Sequence, residues 1–264
     1  MSSWEAIFLG IVQGLTEFLP VSSSGHLVLF QKLFGIEEGA LIFDVAVHVA
    51  TVAALLTVFW RDVVFMIRRP FSRLALLVIA GTIPTGIIGV LFKDIFEEMF
   101  SSGASLGVGF LITGAVLWWA ETTRAHDKDA EHMSYADAFF VGTLQGIAII
   151  PAVSRSGMTI AGALLRGLNR EFAARFSFLL SIPAILGAAV VKTKPLIAMI
   201  KAGTGIGMTQ LVLGMLFAAL FGYAAIRFML WVIEKKSLRG FSWYVWVLGL
   251  LVLADQCFFH AFFR

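Results

Sequence analysis

Six apolar stretches recur along the chain, at about 41–60, 74–92, 104–120, 172–191, 209–233 and 241–262. Each has the roughly 17 to 25 residues that a helix needs to cross a hydrocarbon core. Two further apolar stretches, about 5–35 and 136–166, are interrupted in their middles. In the first, an uncharged run from Ala6 to Thr16 meets Glu17, then Pro20 and the cluster Ser22, Ser23, Ser24, Gly25. In the second, Pro151 and the cluster Ser154, Arg155, Ser156, Gly157 cut the run in the same way. Non-helical backbone at membrane depth is tolerated only where it is buried in protein or lines a water-filled cavity. Both stretches are therefore expected to be re-entrant helix-loop-helix hairpins whose tips meet inside the protein. The alternative is a pair of kinked spanning helices packed through small residues.

Composition supports a polytopic, all-α membrane domain covering residues 1–264. The chain is 59% hydrophobic and only 14% charged, against about 25% charged in soluble chains. That excludes nucleic-acid binding as its main role and makes membrane lipid its main contact. The single cysteine, Cys257, excludes an intramolecular disulfide. The segment Met1 to Glu5 lacks the basic region of a cleavable signal, so the first apolar stretch is expected to remain. Lys and Arg favour cytoplasmic loops. Arg61, Arg68, Arg69, Arg73, Arg124, Lys128, Arg166, Arg170, Arg175, Lys235, Lys236 and Arg239 then define the inner side. Lys32, Lys93, Lys192, Lys194, Lys201, Arg264 and both termini fall outside, the run Lys192 to Lys201 being a local exception. His126 and His132 stand among acids between Glu121 and Asp137, a pattern expected of a solvated loop rather than a metal site.

Aligning the interrupted stretches with an offset of 132 residues exposes an internal repeat. Gly10, Gln13, Gly14, Val21, Ser22, Ser24 and Gly25 fall on Gly142, Gln145, Gly146, Val153, Ser154, Ser156 and Gly157. Repeat one then covers about 1–121 and repeat two about 135–264, each a broken segment followed by three spans. Three crossings reverse direction, so the halves are expected to form inverted-topology repeats, with paired broken segments marking a binding site.

The tips concentrate chemistry. Gln13 and Glu17, four apart, share one helix face. Ser22 or Ser23 can cap the next helix, and the step from Ser23 to His26 sets a hydroxyl beside an imidazole. The second tip offers Ser154, Arg155, Ser156 and Thr159. Helix N-termini with free N–H groups are natural anion sites, and a guanidinium fork makes phosphate the expected anion. Ser24 alone reads as well as a hydroxyl bonded to the preceding turn. Glu17, His26 and Arg155 are costly to bury and mark function by default, a structural Glu17–Arg155 ion pair being the bland alternative. Asp44 and His48 could extend the site, or simply reach water at a span end. Asp255 and His260 are expected to reach water likewise.

Gln13-Gly14-Leu15-Thr16-Glu17-Phe18-Leu19-Pro20-Val21-Ser22-Ser23-Ser24-Gly25-His26 and Pro151-Ala152-Val153-Ser154-Arg155-Ser156-Gly157-Met158-Thr159 resemble the two signatures of the bacitracin-resistance type of undecaprenyl-diphosphate phosphatase. The resemblance covers essentially the whole chain. It implies an enzyme of the bacterial cytoplasmic membrane with two re-entrant hairpins, its site facing the outer, periplasmic side. Such an enzyme converts undecaprenyl diphosphate to the monophosphate carrier of peptidoglycan and cell-wall synthesis, and confers bacitracin resistance. The resemblance also implies a divalent cation, Mg²⁺ or Ca²⁺. By motif position, Gln13 and Glu17 are the metal-ligand positions, Ser23, His26 and Arg155 are catalytic with Glu17, and Ser22, Ser24, Ser154, Ser156 and Thr159 assist substrate binding. Gln13 stands where many members carry Glu, leaving Glu17 the only motif carboxylate. Ala152 stands where Gly is usual.

The expected mechanism is phosphoryl transfer by positioning and charge neutralisation. Arg155 clamps the diphosphate, Glu17 with Gln13 holds the cation, and Ser23 attacks with His26 as general base. Sequence leaves open whether Ser23 or His26 is the nucleophile, or whether His26 activates water. It also leaves open the oligomeric state, and whether the lipid is carried across the membrane. The runner-up is a flippase of polyprenyl phosphate, which has less need of a Ser-His pair.

Overall fold

The computed structural model describes residues 1–36, 39–123, 127–201 and 206–261. Of the residues used above, Arg124, His126 and Arg264 lie outside that set. Twelve α-helices follow in chain order among the described residues: α1 (Ser3–Phe18), α2 (Ser23–Phe34), α3 (Ala40–Val58), α4 (Trp60–Arg68), α5 (Arg73–Leu91), α6 (Lys93–Ser102), α7 (Leu106–Ala120), α8 (Tyr135–Ile147), α9 (Arg155–Leu165), α10 (Arg170–Lys201), α11 (Met208–Lys235) and α12 (Arg239–Ala254). A π-helical turn, Asp255–Phe259, continues α12.

Both interrupted stretches begin with the same local device. Ser2 and Glu5 close a capping box on α1, and Ser134 and Asp137 close one on α8, each satisfying two orphan N–H donors. Both stretches also break where the sequence places the break. The resulting helices α1, α2, α8 and α9 have 16, 12, 13 and 11 residues. At about 1.5 Å per residue none reaches the ~30 Å thickness of a hydrocarbon core.

Among the described residues, five helices are long and apolar enough to cross a membrane: Ala40–Val58, Arg73–Leu91, Arg170–Thr193 within α10, Met208–Lys235, and Arg239–Phe259. The stretch expected at 104–120 differs. Its helix α7 has only 15 residues, and it qualifies as a sixth span only together with α6, from which it is bent by 111°. Gly103, in the left-handed conformation at the end of α6, makes that corner. Wide apolar faces stay exposed on these helices, among them Ile79, Ile83 and Ile87 on α5 and Leu216 and Leu220 on α11. Such rows suit lipid rather than water.

The two hairpins are held by close helix crossings. α1 packs on α11 and α8 packs on α5. A Cβ at Gly10 would lie 2.5 Å from the Gly214 carbonyl oxygen, and one at Gly14 2.6 Å from that of Ala218. At Gly142 a Cβ would run into the Gly81 carbonyl. Small residues let these backbones meet at contact distance, the usual solution where lipid removes the hydrophobic drive for helix association.

Many of the basic residues assigned to the inner side collect at one end of the bundle, where they tie helix ends and loops together. Arg73 donates to the carbonyls of Ala130 and Met133. Arg170 donates to Glu121 and to the carbonyls of Ile233 and Lys236. Arg175 pairs with Asp62, and Arg166 and Lys128 both meet the buried Asp137. In the neighbouring loop His132 is exposed and bonds to Asp129. No three His, Cys, Asp or Glu side chains gather to hold a metal among the described residues.

Candidate active site at the meeting of two helical tips

Each tip is a short turn capped by its own serine. Ser22 accepts from the Gly25 N–H at 3.3 Å and opens α2; Ser154 accepts from the Gly157 N–H at 3.1 Å and opens α9. The aligned serine pairs keep one geometry, with Ser22–Ser24 and Ser154–Ser156 hydroxyls each 3.2 Å apart. The turns themselves differ. Ser22 (φ 70°) lies in the positive-φ region in the first, and Ala152 (φ 65°) in the second. The glycine expected by the motif at 152 therefore has a conformational reason, which alanine meets at a cost. Thr113 of α7 secures that turn, accepting from the Ser154 N–H and donating to the Ala152 carbonyl. Ala152→Gly should relieve the strain and stabilise the protein by about 1 kcal/mol. Thermal unfolding in detergent would read this as a raised midpoint, and a lowered one would sink the argument.

The tips meet at Glu17. Its carboxylate, almost fully buried, draws partners from four helices. Gln13 Nε2 donates to Oε2 at 2.8 Å and the Ser23 hydroxyl to the same oxygen at 2.5 Å. Arg155 Nη2 donates to Oε1 at 2.6 Å, and His48 Nε2 lies 3.5 Å from Oε2. A second stitch joins the tips where Ser156 Oγ donates to the Leu19 carbonyl at 2.8 Å. Two polar atoms at this junction are buried without a partner among the described residues: Arg155 Nη1 and Gln13 Oε1. Orphan buried groups are expensive. Here one is a cationic donor suited to a phosphate oxygen and the other an acceptor suited to a cation.

The expected Ser23–His26 pair does not form. Ser23 turns its hydroxyl to Glu17, while His26 is held elsewhere at both nitrogens. Its Nδ1 donates to the Ser22 carbonyl at 2.7 Å, so neutral Nε2 is an acceptor, and it takes the Tyr244 hydroxyl at 2.7 Å. The Tyr244 ring stacks on the imidazole at 5.7 Å and 11°, and Phe110 meets it edge-on. One helical step brings 23 and 26 to neighbouring positions, but the Ser22 carbonyl captures the ring first.

Of the remaining predicted residues, Ser22, Ser24 and Ser154 are engaged in capping and in the serine pairs. Thr159 is turned away, its hydroxyl between the Arg155 carbonyl and Ser177 of α10. His48 joins the site rather than simply reaching water. Its neighbour Asp44 accepts from Gln31 at 2.6 Å. Tyr244 and Thr113 carry no signal in a single sequence, standing among other residues of apolar helices. Tyr244→Phe should lower the thermal unfolding midpoint in detergent, the loss of one buried hydrogen bond costing about 1 kcal/mol. An unchanged midpoint would show that the Tyr244 hydroxyl contributes nothing to holding His26.

A chain whose regular structure among the described residues is all helical, with several apolar helices long enough to cross a bilayer gathered round a buried Glu–Arg–Ser cluster, is a multi-pass membrane protein with a polar centre. The chain belongs to the bacitracin resistance protein BacA family, whose model matches residues 6–251. It is 53% identical over 256 residues to an undecaprenyl-diphosphatase of Carboxydothermus hydrogenoformans, covering 97% of this chain and 98% of that protein. It is 45% identical over 256 residues to undecaprenyl-diphosphatase 4 of Bacillus cereus, with the same coverage. An undecaprenyl-diphosphatase of Halothermothrix orenii is 44% identical over 259 residues, covering 96% of this chain and 98% of that protein.

Proposed function

We propose that this protein hydrolyses undecaprenyl diphosphate to undecaprenyl phosphate and phosphate, recycling the lipid carrier of peptidoglycan synthesis and conferring bacitracin resistance. The observation that carries the chemistry is the Glu17 hub: one buried carboxylate touching a hydroxyl and a guanidinium from opposite tips.

Arg155 binds the diphosphate, its unpaired Nη1 supplying a donor that a phosphate oxygen completes. Ser23 Oγ attacks the terminal phosphorus. The Oγ–P bond forms, the bridging P–O bond breaks, and polyprenyl phosphate leaves. The hydroxyl proton passes to Glu17, the group it already donates to, which replaces His26 as the base for this step. Water then attacks the phosphoserine: its oxygen bonds to phosphorus and the Oγ–P bond breaks, one water proton stays on the released phosphate and the other passes to solvent, and Ser23 Oγ recovers its proton from Glu17. The residues present also fit the divalent cation implied by the family. Gln13 Oε1 and a Glu17 oxygen are hard donors suited to Mg²⁺ or Ca²⁺, which would neutralise charge on the diphosphate oxygens.

In this reading α1–α2 and α8–α9 are re-entrant hairpins in inverted repeats, flanked by six spans. The basic end of the bundle faces the cytoplasm and the tips are reached from the periplasmic side of the inner membrane. Supporting it are the short hairpin helices, their aligned serine pairs and the clustering of arginines at one end. The polyprenyl tail lies against lipid-facing helices, so the enzyme need not extract it.

The test is phosphate release from a polyprenyl diphosphate by the purified protein in detergent, with and without chelator. Cation-dependent release, accompanied by a phosphoserine that Ser23→Ala abolishes, is expected. Lipid binding without release would sink the hydrolase and favour a flippase.

A further inference from the structure

We propose that His48 is a third ligand of the cation site and gives that site a preference for transition metals over Mg²⁺ and Ca²⁺. The inference rests on the reading in which Gln13 and Glu17 hold the cation. Three observations carry it.

The first is position. His48 Nε2 lies 3.5 Å from Glu17 Oε2, the oxygen that also receives Gln13. A cation placed among Oε2, Nε2 and the Gln13 amide would separate groups that now touch one another directly. The second is the state of the ring. His48 Nδ1 donates to the Asp44 carbonyl at 2.7 Å. That bond fixes the tautomer and leaves the Nε2 lone pair facing Glu17, the arrangement that metal-binding histidines commonly show. His26, the other imidazole near the tips, has both nitrogens occupied by Ser22 and Tyr244. The third is the orphan. Gln13 is fully buried and its Oε1 has no partner among the described residues. Turning the amide about its last bond brings this acceptor to the place where Nε2 now meets Glu17.

The donor set is thus one carboxylate, one amide oxygen and one imidazole, on α1 and α3. His48 is partly exposed at 28% of its side chain, leaving room for water or phosphate oxygens to complete the coordination. Oxygen-only sites suit Mg²⁺ and Ca²⁺, whereas an imidazole raises affinity along the series Mn²⁺, Co²⁺, Zn²⁺.

The test binds Mn²⁺ to the full-length protein in detergent and reads bound metal by EPR. Pulsed measurements detect coupling to imidazole nitrogen. Wild type is expected to bind Mn²⁺ with nitrogen coupling that persists in His26→Ala and disappears in His48→Ala, with affinity lower by about tenfold or more. His48→Gln, which keeps a neutral oxygen donor, should lose the coupling and narrow the gap between Mn²⁺ and Mg²⁺ affinity. Mn²⁺ bound without nitrogen coupling, and equally well by His48→Ala, would overturn the ligand assignment and leave the Gln13–Glu17 site standing. Absence of Mn²⁺ and Mg²⁺ binding in folded wild type would remove both.

Discussion

Glu17→Gln is expected to reduce phosphate release by about 10²- to 10⁴-fold, the range for loss of a general base. The amide keeps the volume of the side chain and can still accept from Arg155, but it cannot take the proton of Ser23. Four groups now converge on the carboxylate. Its negative charge is also what makes burial of the Arg155 guanidinium tolerable. Breaking a buried ion pair by removing one partner costs about 3 to 5 kcal/mol, so Glu17→Ala should unfold at markedly lower temperature. Glu17→Gln separates the two effects, because it retains a hydrogen-bond acceptor. Turnover in a folded Glu17→Gln within a fewfold of wild type would exclude Glu17 as the base.

Arg155→Lys carries the second large effect, a loss of about 10²- to 10³-fold, comparable to removing a preorganised donor from a site of developing negative charge. Arg155 reaches Glu17 through Nη2 while Nη1 stays buried and unpaired. Lysine offers one ammonium on a flexible stem and cannot serve the carboxylate and a phosphate oxygen with a planar fork. Both kcat and kcat/KM should fall, while the folded state survives because one charge still faces Glu17. Retained activity in Arg155→Lys, read by phosphate release over a range of substrate, would show that charge alone suffices and that the second nitrogen has no role.

The sequence by itself determined everything that depends on neighbours along the chain. Apolar run length set the helices, with α3, α5, α10 and α11 starting within two residues of the expected spans. Ser, Pro and Gly placed both breaks, and the spacing of Gln13 and Glu17 put them on one face, where they bond. The α7 region departed because Gly103 bends the chain there, a choice that length and hydropathy do not encode. Local spacing also misdirected the Ser23–His26 pair. Adjacency on a helix brings side chains near each other, but the partner each takes depends on what competes for it, here the Ser22 carbonyl, Glu17 and Tyr244.

Only tertiary structure decided those competitions. Tyr244 lies 218 positions from His26 and Arg155 lies 138 from Glu17. Membrane helices supply no sequence period that distinguishes a lipid-facing tyrosine from one turned to a buried imidazole. His48 shows the same limit. Its distance from Asp44 is visible in the chain, but its approach to Glu17 depends on how α3 lies against α1, and that follows from the glycines of α1 and α11 meeting at contact distance. Pattern fixed the helices and their breaks because both are local properties of the backbone. The partners of Glu17 and His26 came from packing, which sets the distances over which a hydrogen bond either forms or does not.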